Sequence, residues 1–102
     1  TLAELEKLAT QNFKLVMVHR PVLSRDSLLE FVGASDLIVS GHTHQGQLFP
    51  FNYVVQLIYH NAYGLEYFKD AVMITTSGAG LWGPPIRIGT NSEIVVINLR
   101  KI

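Results

Sequence analysis

The stretch "SGHTHQG", residues 40–46, sets two histidines one residue apart between two glycines, directly after the apolar run "DLIV" at 36–39. A short apolar run of this kind reads as a buried strand, and the Gly-flanked polar loop behind it as the point where the chain leaves a sheet. In an extended segment residues i and i+2 face the same way, so His42 and His44 are expected in one pocket, with Thr43 turned away. Gly41 and Gly46 admit backbone geometry that other residues resist. Neutral imidazole is the commonest protein metal ligand, which makes the pair a candidate for N-donor metal chemistry.

Upstream, "FKLVMV" at 13–18 reads as a second strand. It stops at "HRPV", because Pro21 cannot continue a ladder and biases Arg20 towards extended geometry, leaving His19 at the strand's C-terminal edge. Between the two strands "SRDSLLEFVGAS" reads as a short helix, with Ser24 as cap and Gly33 as stop. The β-α-β order predicts parallel neighbours, so His19, His42 and His44 should emerge on one edge of one sheet, where ligands of open α/β sheets collect. A site of these three histidines alone would suit one zinc with an open position. Spacing leaves the plainer reading open, in which each histidine is a satisfied polar side chain. Asp36 begins the strand whose far end carries His42, about 17 to 20 Å away at roughly 3.3 Å per residue, so it is expected at the strand edge and not in the site. His60 has no partner at metal spacing and reads as surface or rim.

The remaining chain supplies further elements. "TLAELEKLATQN" has helical spacing of Leu2, Leu5, Leu8 and Ala9. "FNYVVQLIYHNAY", 51–63, is an apolar aromatic insert compatible with a short helix. "GLEYF", "KD" and "AVMITTS" read as a hairpin with a two-residue turn, although Lys-Asp is not a favoured type I′ pair. A Gly- and Pro-rich loop, "GAGLWGPPIRIGT", precedes "EIVVINL", read as a final apolar strand. No internal repeat is present.

Composition bounds the function. The 102 residues are 48% hydrophobic, with mean hydropathy +0.25, which suits one globular domain and excludes a disordered chain. A domain of this size buries only about 60 to 68% of its unfolded surface, so so apolar a composition predicts a missing partner surface. The chain starts inside an amphipathic helix without an initiator Met or signal sequence, as a segment of a longer protein would. Eight Lys and Arg balance eight Asp and Glu, so bulk charge favours neither nucleic acid nor an acidic membrane. The absence of Cys excludes disulfides, a thiolate nucleophile and a Cys zinc site, leaving N and O ligands. No charged residue lies between Asp36 and Glu66, but glycines, Pro50, Gln and His side chains interrupt that interval, which argues against a transmembrane helix.

"SGHTHQGQLFPF", with "VMVHRP" before it and "SGAGLWGPPIRIGTNSEIVVINL" after it, resembles the calcineurin-like metallophosphoesterases, from about Phe13 to Leu99. The likeness is strongest to a membrane-associated branch that includes the bacterial YkuE-like phosphoesterases and transmembrane proteins with a metallophosphoesterase domain. The resemblance implies an α/β fold, a four-layer α/β/β/α sandwich of two sheets flanked by helices, of which residues 1–102 would be the C-terminal part with the N-terminal half absent. It implies a two-metal centre of Mn, Fe or Zn, with His19 and His42 on one metal and His44 on the other. The family's D-x-H, G-D-x-x-D and G-N-H-[DE] motifs, which supply the other ligands, the bridging aspartate and the leaving-group acid, do not occur here. The expectation is a hydrolase of phosphate esters or anhydrides whose isolated segment is inactive and binds one ion or none. Gln45 departs from the second Gly common in this branch and should narrow the loop's freedom.

The substrate implied is a phosphorylated small molecule or phospholipid-type compound, because "LFPFNYVVQLIY" would wall the mouth of the site with aromatics; core packing is the alternative for that segment. Arg87 is a conceivable phosphate contact, since a guanidinium binds two oxygens at once, with a solvated loop arginine as the plainer reading. Location would be cytoplasmic, or at a membrane through parts outside this chain. The isolated segment is expected to self-associate through its uncovered sheet face. The competing function is a non-catalytic metal-binding or protein-interaction module.

Overall fold

Two apolar runs and a hairpin build the sheet on which the histidine loop sits. In a computed structural model of the chain, residues 12–21, 29 and 35–101 are described. Four strands, β1 (Leu15–Met17), β2 (Leu37–Ser40), β3 (Gly64–Phe68) and β4 (Ala71–Thr75), form one sheet in the order β1-β2-β4-β3. β1, β2 and β4 are parallel and β3 is antiparallel to β4. The expected helices at residues 1–12 and 24–33 lie outside the described residues, apart from Asn12 and Leu29.

Register decides which side chains meet. Val16 stands opposite Ile38, and Ile38 opposite Met73, so these three share a face and, with Ala71, form the buried core against which Val18 and Phe68 pack. On the other face Leu37 and Ile74 are buried, while Leu15 and Met17 of the edge strand are exposed. The pairing continues past the strand ends: Val18 N–H donates to Val39 O at 3.0 Å, Gly41 N–H to His19 O at 3.1 Å and Thr76 N–H to Ser40 O at 3.0 Å. This extension carries His19 and Gly41 out of the sheet side by side. Asp36 sits at the opposite end, where its carboxylate accepts the Lys14 N–H at 2.6 Å; it orders the entrance to β1, as a strand-edge residue would.

The hairpin forms as the sequence predicts, with Phe68 opposite Ala71 across Lys69-Asp70. Lys69 alone of the two has positive φ, +54°, the sign pattern of a type II′ rather than a type I′ turn. The aromatic insert is an α-helix, α1 (Phe51–Ile58), with no buried residue. One expectation is corrected. Residues 93–99 do not pair as a strand with any of the described residues, and Ile94, Val96 and Leu99 are 85, 79 and 60% exposed. The apolar pattern is strand-like, but a strand needs a neighbour to take its N–H and C=O groups, and none of the described strands does so. A single four-stranded sheet is therefore present among the described residues.

Candidate metal centre

The histidine loop is not extended. His42 and His44 have φ of +66° and +48°, and Gln45 and Gln47 are also left-handed, at +55° and +52°. Residues His44–Gly46 form a short 3-10 turn capped by Thr43, whose hydroxyl accepts the Gln45 N–H at 3.3 Å. The alternation argument for His42 and His44 is thus replaced by a tight turn, in which Thr43 is buried and its hydroxyl donates to Ala62 O at 2.7 Å. His42, Thr43 and His44 all line one pocket. Left-handed backbone at non-glycine residues is unfavourable and is held only where surrounding bonds over-determine it.

Those bonds come from Gln47, which is fully buried. Its N–H donates to His44 O at 2.9 Å, and its own carbonyl accepts Ile88 N–H at 3.0 Å and the Thr90 hydroxyl at 2.9 Å. The side-chain amide donates to Trp82 O at 2.7 Å and Pro84 O at 3.1 Å, and accepts Trp82 N–H at 2.8 Å. Nothing in the sequence marked Gln47 out from its polar neighbours; it is found only once the 82–90 loop is seen lying beside it.

His19 and His42 are brought together at the C-terminal edge. His42 Nδ1 and His19 Nε2 are 2.9 Å apart, with the rings edge-on at 72°. Burial, then the positive charge of Arg20 and the neighbouring His19 and His44, lower the His42 pKa below its ordinary 6.5, which favours the neutral, lone-pair-bearing ring. His44 does not hydrogen-bond to this pair; its Nδ1 is buried with no protein partner. Among the described residues no group of three or more His, Asp or Glu side chains converges as a metal site. The donor set nevertheless fits a cation in part. Two nitrogens bound to one ion at about 2.0 to 2.1 Å lie about 3 to 3.4 Å apart, close to the His19–His42 separation, and an orphaned buried imidazole nitrogen is the kind of group that a ligand satisfies.

His42, Thr43 and His44 line a pocket of about 390 Å³, completed by Val55, Ile58, Tyr59 and Trp82. Tyr59 also stands edge-on to His42, with ring centroids 6.4 Å apart. The helix reaches this position because Gly46 lets it: a Cβ there would meet the carbonyl carbon of Phe51 at 2.6 Å and the backbone of Asn52. Sequence reasoning placed the insert through Tyr59 beside the loop, with core packing as the alternative, but missed Trp82; the lone Trp in a Gly/Pro-rich loop was the available signal. His60 does not line this pocket; its Nε2 is 3.2 Å from Glu66 Oε1 and its ring stands edge-on to Phe68.

Arg87 is not a free loop arginine. Its guanidinium donates to the carbonyls of His44 at 3.1 Å, Ser77 at 2.8 Å, Gly78 at 3.2 Å and Gly80 at 2.9 Å. Its Nη1 also lies 3.5 Å from the Thr90 hydroxyl, and its Nε is buried.

Comparison with known proteins gives the arrangement a family. The chain is 38% identical over 94 residues, 91% of its length, to an uncharacterized metallophosphoesterase of Campylobacter jejuni, of which it spans 24%. It is 30% identical over 101 residues, 97% of its length, to an uncharacterized metallophosphoesterase of Aquifex aeolicus, of which it spans 37%. It is 35% identical over 88 residues, 85% of its length, to the transmembrane protein with metallophosphoesterase domain of Danio rerio, of which it spans 20%. No family profile and no solved structure matches the chain. With most of its length aligned to several relatives of one name and its histidine loop at a sheet edge, the chain belongs to the calcineurin-like metallophosphoesterase family.

Proposed function

We propose that this chain is the C-terminal, histidine-bearing part of a metal-dependent phosphoesterase domain that hydrolyses phosphate esters or anhydrides. The observation that carries this is the facing pair His19 and His42 at the C-terminal edge of parallel strands, with the unpartnered Nδ1 of His44 beside it. His19 and His42 would hold one divalent ion (Mn, Fe or Zn) and His44 would contribute to a second. The ions, when bound, supply Lewis-acid polarisation of the phosphoryl oxygens and activation of water. This chain's own contribution is to hold three imidazoles in fixed orientation and to exclude water from one side of the pocket.

The other ligands would come from an N-terminal half of the same domain, a reading supported by the small share of each relative that the chain spans. On its own the segment would be inactive. The apolar wall of Val55, Ile58, Tyr59 and Trp82 favours a substrate with a lipid-like group beside its phosphate, and two relatives named as transmembrane proteins support work at a membrane surface through parts outside this chain. Among the described residues no helix is long and apolar enough to cross a membrane. A competing reading, a non-catalytic module, draws on the lack of a converged three-ligand group among the described residues.

One experiment separates the two. Metal content and phosphodiester hydrolysis are measured on this chain and on the full-length protein, each with its His42→Ala/His44→Ala counterpart. Two ions and turnover only in the full-length protein, both lost in the double variant, are the expected result. A full-length protein without metal or turnover would leave the family likeness as a statement about sequence alone.

A further inference from the structure

Arg87 has the geometry of a structural clamp centred on the histidine loop. Its two terminal nitrogens reach four backbone carbonyls from two separate segments: His44 in the 3-10 turn, and Ser77, Gly78 and Gly80 in the loop that leaves β4. Backbone carbonyls carry partial negative charge, and this set, with the Thr90 hydroxyl, takes up the N–H donors of both terminal nitrogens; the remaining donor, Nε, is buried without a protein partner. His44 O receives a second bond, from the Gln47 N–H at 2.9 Å. The backbone that carries the left-handed His44, φ +48°, is therefore tied from two directions, and its imidazole inherits that orientation.

We propose that Arg87 is a positioning residue for His44: it acts through the His44 carbonyl to aim the imidazole, and it does not contact phosphate. The metal arm of the test rests on the function proposed above; the geometric arm does not. A planar guanidinium serves several carbonyls at once, whereas an ammonium on a flexible stem serves fewer, so Lys should restore the site only in part.

The test uses the full-length protein that contains this chain, with Arg87→Ala and Arg87→Lys compared against wild type. Three quantities are read: the ¹⁵N and ¹³C signals of the His44 ring without metal, Zn²⁺ affinity by calorimetry, and kcat and KM on a small phosphodiester. Expected are displaced His44 ring signals with unchanged His60 signals, Zn²⁺ binding weakened by roughly 10-fold or more, as for other outer partners of ligating histidines, and a fall in kcat at constant KM, with Lys intermediate. Should Ala fail to fold, the Lys variant carries the same three readings. If KM rises while the His44 signals and Zn²⁺ affinity hold, Arg87 is a phosphate contact and the proposal is overturned. It is likewise overturned if only thermal stability falls. Displaced His44 signals in a protein whose wild type takes up no Zn²⁺ would leave the clamp standing and sink the metal-dependent function; unmoved signals in a Zn²⁺-binding wild type would do the reverse.

Discussion

Gly46 is where the histidine turn and the aromatic helix touch. Its φ is +78°, and a side chain would run into the Phe51–Asn52 backbone, which has no flexible end to swing aside. Gly64 shares the left-handed conformation, φ +90°, with nothing within 4 Å of where its Cβ would be. The two alanine substitutions therefore separate conformational strain from overlap. Gly64→Ala should cost about 1 to 2 kcal/mol, the penalty of left-handed backbone for an L-residue. Gly46→Ala should add about 1 to 3 kcal/mol for overpacking and should also pull α1 off the loop. Urea midpoints of the two variants check the difference, and equal shifts would mean that the helix is not seated on Gly46. At this scale the sequence was partly legible. The glycine-flanked His-x-His could be read as a site, because histidine chemistry and glycine permissiveness are local properties. The conformation of the turn could not, because the turn carrying left-handed His42, His44 and Gln45 is held by Gln47, unremarkable in composition, and by Thr43–Ala62 and Gln47–Thr90 bonds that span 19 and 43 residues.

Elements that report their own period were legible, and those that depend on a neighbour were not. β2 reads as a buried strand, and Leu37, Ile38 and Ser40 are buried, while its place between β1 and β4 pairs both of its edges. β1 reads the same way from "LVMV", but only Val16 is buried, Leu15 and Met17 being exposed. The loop after β4 is held to residues 91–93 by Glu93, which accepts Tyr63 O–H at 2.8 Å, Thr76 O–H at 3.0 Å and Ser77 N–H at 3.1 Å. Burial alone would raise the Glu93 pKa, but the bonds from Tyr63, Ser77 and Thr76 outweigh it and hold the pKa below the ordinary 4.5. The same bond to Glu93, with burial, raises Tyr63 above 10.0. A depressed carboxyl pKa contributes stability above the unfolded value that is lost as pH falls through the folded value; a raised phenol pKa contributes stability below its unfolded value, lost as pH rises through the folded one. The tie should thus loosen at both ends of the range. Exchange of the Ser77 amide, followed by NMR and corrected for intrinsic pH dependence, should accelerate below about pH 4.5 and above about pH 10, near the ordinary values of the two groups. Glu93→Gln should remove the acid limb; an acid limb that persists in it would mean that another carboxylate holds the loop.

Among the described residues, much apolar surface lies outside the buried core. The buried core among the described residues is small, while Leu15, Met17, Ile94, Val96 and Leu99 lie open to water. Residues 94–99 follow the Glu93 tie as an apolar stretch that pairs with no strand among the described residues, and β1 forms one edge of the described sheet. Unpaired strand-like segments and free sheet edges are templates for pairing with another chain. On the function proposed above, the rest of the domain would cover them in a full-length protein; in this chain alone a second copy would. We therefore expect the isolated 102-residue chain to sediment as concentration-dependent oligomers. Ile94→Lys/Val96→Lys, which puts two charges on the unpaired stretch, should shift it towards monomer at the same concentration. The His42→Ala/His44→Ala variant leaves these surfaces untouched and should associate like wild type. A monodisperse monomer at tens of micromolar, with or without the lysines, would mean that residues 94–99 find their partner within this chain, and the case for a missing layer would then rest on the length of the relatives alone.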